Sequence, residues 1–179
     1  MFYRLLLDKD VEITTGFKDV DEKAWYATAV NTLASLGIIT GYKNGTFKPN
    51  QAITRAEFTA IAVRFAKELK GEHNFKDVSK KFWANDAIAT ATSYGWLSGY
   101  KDGTFRPDNK ITRAEVATCI NRMLNRAADE TYINAHLNDL KQFPDLKKKD
   151  WYFYDMVEAI NAHDYHRENL IEKWDALVK

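Results

Sequence analysis

One segment of the chain returns 58 positions later without a gap, and this repeat limits the available folds more than any other feature. Phe17, Asp19, Val20 and Trp25 recur as Phe75, Asp77, Val78 and Trp83. Gly41, Thr46, Phe47, Pro49 and Arg55 recur as Gly99, Thr104, Phe105, Pro107 and Arg113. Between GYKNGTFKPNQAITRAEF and GYKDGTFRPDNKITRAEV, twelve of eighteen positions are identical. A period of this length marks supersecondary units that bury their apolar faces against one another. Six of the eight glycines and two of the three prolines fall inside the repeat, so the turn-forming residues serve one local shape made twice.

Each unit reads as helix, turn, helix. Trp25, Ala29, Leu33 and Leu36 are spaced by three or four, and the pattern stops at Gly37, as a helix with a C-terminal glycine does. The apolar runs on either side of Asn44-Gly45 predict a tight turn and a very short hairpin. A second helix starts at ITRAE and runs to about Lys70, apolar at Phe58, Ile61, Ala62 and Phe65. Phe143 to Ala162 repeats the first half of a unit through Phe143, Asp145, Trp151, Tyr152 and Val157, but no glycine turn or ITRAE comes after it. Residues 1–10 read as the tail of a further unit, because Arg4 aligns with Arg64 and Arg122. The expected organisation is therefore a tail helix at 1–10, full units at 17–70 and 75–126, a polar connector at 127–142, a partial unit at 143–162 and a tail at 163–179. We expect the two terminal half-units to pack side by side as a third lobe. The tail shows helical spacing at Leu170, Ile171, Trp174 and Leu177.

The chemistry of ITRAE divides unevenly. Thr54 and Thr112, each succeeded three residues later by Glu57 and Glu115, form the capping-box pattern, in which Thr caps a helix amide and Glu reaches back to the Thr amide. Ile53 and Ile111 suit the hydrophobic staple, and Ala56 and Ala114 are good helix formers. Arg55 and Arg113 stand at the first helical position, where the positive end of the helix dipole disfavours a cation. Two readings remain open: an anion site made by a guanidinium beside free helix amides, or an ion pair with a carboxylate of a neighbouring unit such as Asp19 or Asp77. Trp25, Trp83 and Trp151, at helical spacing, are expected in the core, whereas Tyr26, Tyr42, Tyr100, Phe47 and Phe105 lie near the turn, where half-exposed rings can stack on a sugar face.

Composition removes several classes of function. The 26 Lys and Arg nearly cancel the 25 Asp and Glu, so no global positive field is present to hold nucleic acid. No apolar run approaches the roughly 20 residues of a membrane span, and MFYRLLLDKD lacks the pattern of a signal peptide, so no membrane insertion is expected. The single cysteine, Cys119, falls on an apolar helix face and reads as an inert core thiol. The chain has no nucleophile elbow, phosphate loop or metal-binding helix pair, and no enzymatic activity or cofactor is expected. His163, Asp164 and His166 of HDYH read as surface or packing residues, with no metal expected, and the KNGT and KDGT turns lack the acidic ligands of a calcium loop.

The two full units, FKDV through ITRAEF and FKDV through ITRAEV, resemble S-layer homology (SLH) repeats in both the glycine-rich turn and the TRAE helix start. The resemblance implies a mainly α fold with pseudo-threefold symmetry, built from helix-turn-helix repeats. It also implies a monomeric, non-catalytic module of a larger protein at the bacterial cell surface. Such a module binds a secondary cell-wall polysaccharide, often one with pyruvylated sugars. The family's functional signature maps onto Thr54, Arg55, Glu57, Thr112, Arg113 and Glu115, with Asp19, Trp25, Gly37, Asp77, Trp83 and Gly95 as groove-lining positions. No third TRAE is present, so at most two complete sites are expected.

Overall fold

The computed structural model describes residues 1–69, 71–168 and 171–178. A 3-10 turn at Phe2–Leu5 precedes α1 (Ala27–Ser35) and α2 (Arg55–Ala62), and α2 runs on into a 3-10 turn at Val63–Phe65. Then come α3 (Asn85–Ser93), α4 (Arg113–Met123), α5 (Glu130–Ala135), α6 (Phe153–Ile160) and an antiparallel pair, β1 (His163–Glu168) and β2 (Ile171–Leu177). The chain is mainly helical, and none of its helices is long and apolar enough to cross a membrane among the described residues.

The tryptophan helices end as their sequence requires. The Gly37 amide bonds to the Ala34 carbonyl and the Ile38 amide to that of Leu33, both at 2.9 Å, with Gly37 at φ +69°. This is the Schellman closure, which needs a left-handed residue. Gly95 closes α3 in the same way, its amide reaching Thr92 and that of Trp96 reaching Ala91. The turn after each helix is tighter than the expected hairpin. The Gly45 amide bonds to the Tyr42 carbonyl and the Tyr42 amide to the Thr46 carbonyl, a turn with left-handed Gly45 that closes on itself without strands. Asn44 braces it by accepting from the Thr46 amide and hydroxyl, as Asp102 does from Thr104.

Packing joins each TRAE-type element to the first helix of the next unit. The N-terminal turn packs on α1, α2 on α3, and α4 on α6. Phe2 stacks on Phe65 at 5.6 Å and lies 5.1 Å from Phe58. Each terminal half-unit thus pairs with the full unit beside it, and these contacts do not themselves join the two ends into a third lobe. Phe2 and Leu5 belong to the larger apolar cluster, which runs through α4, and Phe153 and Val157 belong to a second cluster with Ile133, Leu140 and Trp174. The seam between α4 and α6 is polar. The Thr118 hydroxyl donates to Asp155 Oδ2 at 2.6 Å, and Asn121 Nδ2 donates to the Asp155 carbonyl at 2.9 Å.

Four further expectations change. The tryptophans are not core: Trp25, Trp83 and Trp151 are 94%, 64% and 66% exposed. Each sits in the turn before its helix, so a helical spacing counted from it names the wrong face. The tail is a β-hairpin rather than a helix; of the residues that suggested a helix, Leu170 lies outside the described ones. The inward residues are Glu172 and Trp174, which alternate with half-buried Lys173 and exposed Asp175 at the strand period. A hydropathy count passes over Glu172, and so misses the alternation. The connector at 127–142 contains α5, capped by Asp129 on the Tyr132 amide, with Ile133 fully buried. The second helix of the first unit loses its α form after Ala62, and Lys70 lies outside the described residues. Cys119 is fully buried, and that burial pushes its thiol up to about 12, in keeping with an inert core residue.

Candidate functional site

Both TRAE helices begin with the same complete capping box. The Glu57 amide donates to Thr54 Oγ1 at 3.1 Å and the Thr54 amide to Glu57 Oε2 at 2.8 Å. At α4 the two corresponding distances, between Thr112 and Glu115, are 3.2 and 2.9 Å. Each glutamate also accepts from a turn tyrosine, Glu57 from Tyr42 at 3.1 Å and Glu115 from Tyr100 at 2.8 Å. Partial burial alone would raise both carboxyls. The hydrogen bonds from the cap threonine and the tyrosine, with the Arg55 charge at Glu115, nevertheless hold them below the ordinary value of 4.5.

The arginines inside these identical caps have different surroundings. Arg55 is 2% exposed and reaches into the second unit. Its Nε donates to the Phe105 carbonyl at 2.8 Å, Nη2 to the Ser98 carbonyl at 3.0 Å and Nη1 to Glu115 Oε1 at 2.5 Å. The guanidinium also lies 4.5 Å from the Phe105 ring centre and 4.9 Å from that of Tyr100. The amides at the start of α2 are closed as well, with Arg55 bonded to the Asn109 carbonyl at 2.8 Å and Ala56 to that of Pro107 at 2.9 Å. Both carbonyls belong to the loop of the second unit, which a single bridge between Thr54 and Lys110 holds against the first. Of the two readings left open for Arg55, the ion pair is realised, but the partner is Glu115 and not Asp19 or Asp77.

Arg113 begins α4 and is exposed. Its guanidinium lies 4.4 Å from the centre of the Phe143 ring. Among the described residues, its side chain makes no hydrogen bond or ion pair, and the Arg113 and Ala114 amides have no acceptor. The third unit stops before the loop that would supply such an acceptor. What remains is a groove of about 440 Å³ lined by Thr112, Arg113, Glu115, Phe143, Asp145, Trp151 and Tyr152.

Two further grooves repeat along the chain. One, of about 520 Å³, is lined by Tyr42, Glu57 and Arg64 of the first unit and by Trp83 of the second. Its counterpart, of about 290 Å³, holds Tyr100, Glu115 and Arg122 of the second unit, Trp151 of the third, and Arg55. In each case the exposed tryptophan of one unit forms a wall for the unit before it. Arg64 and Arg122 went unassigned as site residues in the sequence, although their alignment with Arg4 was the available signal. No sequence signal distinguished Phe143 from its core-like counterparts.

The other positions assigned by resemblance have local structural duties. Asp19 clamps the Phe47 and Lys48 amides, both at 2.7 Å, and Asp77 those of Phe105 and Arg106 at 2.8 and 2.7 Å. These clamps stabilise the left-handed conformations of Lys48 and Arg106, at φ +57° and +56°. Asp145, their counterpart in the third unit, instead lines the Arg113 groove. Gly37 and Gly95 close helices, and a Cβ at either would meet nothing within 4 Å. Asp19, Asp77, Gly37, Gly95 and Trp25 do not line any of these three grooves.

The groove at the start of α4 thus combines an exposed guanidinium, aromatic walls and carboxylates able to accept hydrogen bonds. Comparison with known proteins agrees with the repeat architecture. Residues 16–59 and 74–117 match the S-layer homology domain, and the chain belongs to this family, of which it carries two tandem copies. It is 37% identical over 176 residues to Cell surface glycoprotein 1 of Acetivibrio thermocellus, covering 91% of this chain and 7% of that protein. It is 33% identical over 171 residues to the Cellulosome-anchoring protein of the same organism, covering 89% of this chain and 36% of that protein. Against the Amylopullulanase of Thermoanaerobacterium thermosulfurigenes it is 36% identical over 138 residues, covering 71% of this chain and 7% of that protein. The chain thus spans a small part of the length of these relatives.

Proposed function

We propose that this chain is a non-catalytic anchoring module that holds a larger protein to the bacterial cell wall outside the cell by binding a secondary cell-wall polysaccharide through an acidic, pyruvylated sugar. The carrying observation is the open start of α4. There the Arg113 guanidinium lies on the Phe143 ring beside unpaired amides, in a groove that also holds Trp151 and Tyr152. A ketal carboxylate fits the guanidinium and the helix amides, whose dipole favours an anion. The sugar ring stacks on the aromatic wall, and Asp145 and Glu115 accept from its hydroxyls. Thr112 and Glu115 keep Arg113 in place through the cap, and the grooves at Glu57 with Trp83 and at Arg55 with Glu115 extend the contact along the polymer. The similarity of this chain to a Cell surface glycoprotein and to a Cellulosome-anchoring protein supports the anchoring part of this reading.

The test is co-sedimentation with purified walls, before and after chemical removal of pyruvyl groups. Binding is expected to fall sharply on depyruvylation and equally for Arg113→Ala. Binding that survives both changes overturns the acidic-sugar reading. The alternative, a protein-interaction repeat without glycan contact, draws support from the inter-unit bonds of Arg55 and predicts no retention on walls stripped of protein.

A further inference from the structure

The C-terminal unit encloses a polar cluster that the repeats do not explain. Glu158 of α6, His163 of β1 and Glu172 of β2 each offer a ligand atom, and these atoms lie within 4.8 Å of one another. The side chains of Glu158, His163 and Glu172 are 0%, 1% and 1% exposed. His163 Nδ1 lies 2.8 Å from the Asn161 carbonyl, which can only accept, so this nitrogen carries the proton and Nε2 presents a lone pair. Nε2 faces Glu158 Oε1 at 3.5 Å; among the described residues Nε2 has no hydrogen-bond donor, while Glu158 Oε1 has the Arg126 guanidinium beside it. A buried imidazole lone pair aimed at a carboxylate oxygen is left unsatisfied, and a cation held by both atoms would satisfy it.

We propose that Glu158, His163 and Glu172 form a binding site for a divalent transition-metal ion of the zinc class, which pins the C-terminal hairpin to α6. An imidazole nitrogen among the donors disfavours magnesium and calcium, which take oxygen ligands, and suits zinc. The surroundings are those of a metal centre. Metal-bound histidines commonly donate their second ring N–H to a backbone carbonyl, as His163 does to Asn161. Glu158 Oε2 is fixed by Trp174 Nε1 at 3.1 Å, and Glu172 Oε2 by the Ala127 amide at 3.2 Å, which orients both carboxylates. Donors around a tetrahedral zinc with bonds of about 2.0–2.1 Å stand roughly 3.3 Å apart, close to the observed His163–Glu158 spacing, so Glu172 has the main approach to make. The competitors are cationic side chains. Arg126 Nη2 lies 2.5 Å from Glu158 Oε1, and Arg167 Nη2 is 3.3 Å from Glu172 Oε1. These arginines are 29% and 36% exposed, so both can turn to water, whereas the three ligands cannot.

The test uses the full chain stripped with chelator, then titrated with zinc chloride by calorimetry and with cobalt chloride by visible absorption. The expected result is one equivalent bound, the absorption of a four-coordinate cobalt site, and a Tm that rises with zinc and returns on chelation. Glu172→Gln and His163→Asn should weaken zinc binding by more than the about 10–100-fold typical of losing an outer partner. The wild-type stoichiometry, spectrum and Tm shift decide the matter even if a variant fails to fold. Absence of heat, spectrum and Tm shift overturns the proposal; the acceptors are then bridged by a proton on Glu158, whose carboxyl burial pushes up to about 7. Full-affinity binding in both variants also overturns it and places the metal at an exposed site such as His166 with Asp175.

Discussion

Arg55 and Arg113 occupy the same position of the same motif, inside capping boxes with the same bonds, yet one is an internal strut and the other faces solvent. The difference comes from the next unit of the chain in each case. After α2 comes a complete second unit, whose loop supplies the Pro107 and Asn109 carbonyls to the helix amides and whose Ser98, Phe105 and Glu115 take the guanidinium. After α4 comes a half-unit that supplies Phe143 and Trp151 but no loop. A signature residue is thus structural or available according to its neighbour, and the motif alone does not say which.

The largest expected effect is on the closed side. Arg55→Ala leaves Glu115 and two carbonyls without their donor and should cost about 3–5 kcal/mol in urea unfolding, the range for removing one partner of a buried ion pair. Arg55→Lys should not restore it, because an ammonium cannot reach three acceptors in the plane of the guanidinium fork. If Arg55→Ala costs no more than Arg113→Ala, the two arginines do not differ in the way their surroundings require.

Acid should act on the same bond. The folded carboxyls of Glu57 and Glu115 sit below the ordinary value of 4.5, so the stability they add is complete above that pH and is lost as pH falls through their lower folded values. Thermal melts from pH 6 downward should therefore show Tm falling only below about 4.5, with a smaller fall in the Glu115→Gln variant.

A smaller effect tests the caps. Thr54→Ala and Thr112→Ala should each cost about 1 kcal/mol, and by nearly equal amounts, because the two caps share their geometry. Unequal losses in denaturant titrations would place the difference between the helices in the caps rather than in the arginines. The smallest stability effect belongs to the open side. Arg113→Ala should change folding by no more than about 0.5 kcal/mol while wall retention is lost, so a large destabilisation there would mean that Arg113 has a structural partner in solution.

Much of this arrangement was legible in the chain. The glycine closures at Gly37 and Gly95, the turn at Gly45 and the capping boxes depend on neighbours within a few residues, and local sequence specifies them well. The burial of Cys119 agreed with its place on a helix face. The exposed tryptophans were misread because each precedes the first helical residue, where the period of 3.6 does not yet apply. The C-terminal hairpin was misread because its inward face is made of Glu172 and Trp174, and a buried glutamate makes sense only beside the Ala127 amide, Arg167 and the groups of α6.

By itself, the sequence determined the repeat, the two capped helix starts, the closing glycines and the arginine that a helix dipole disfavours, since all of these arise from contacts within one turn or from identity at a fixed offset. The tertiary structure decided which neighbour each unit packs on, that Arg55 meets Glu115 sixty residues away, and that the start of α4 stays open. These outcomes depend on which backbone carbonyls and carboxylates the fold brings to a helix end, and no property of the five residues ITRAE encodes them.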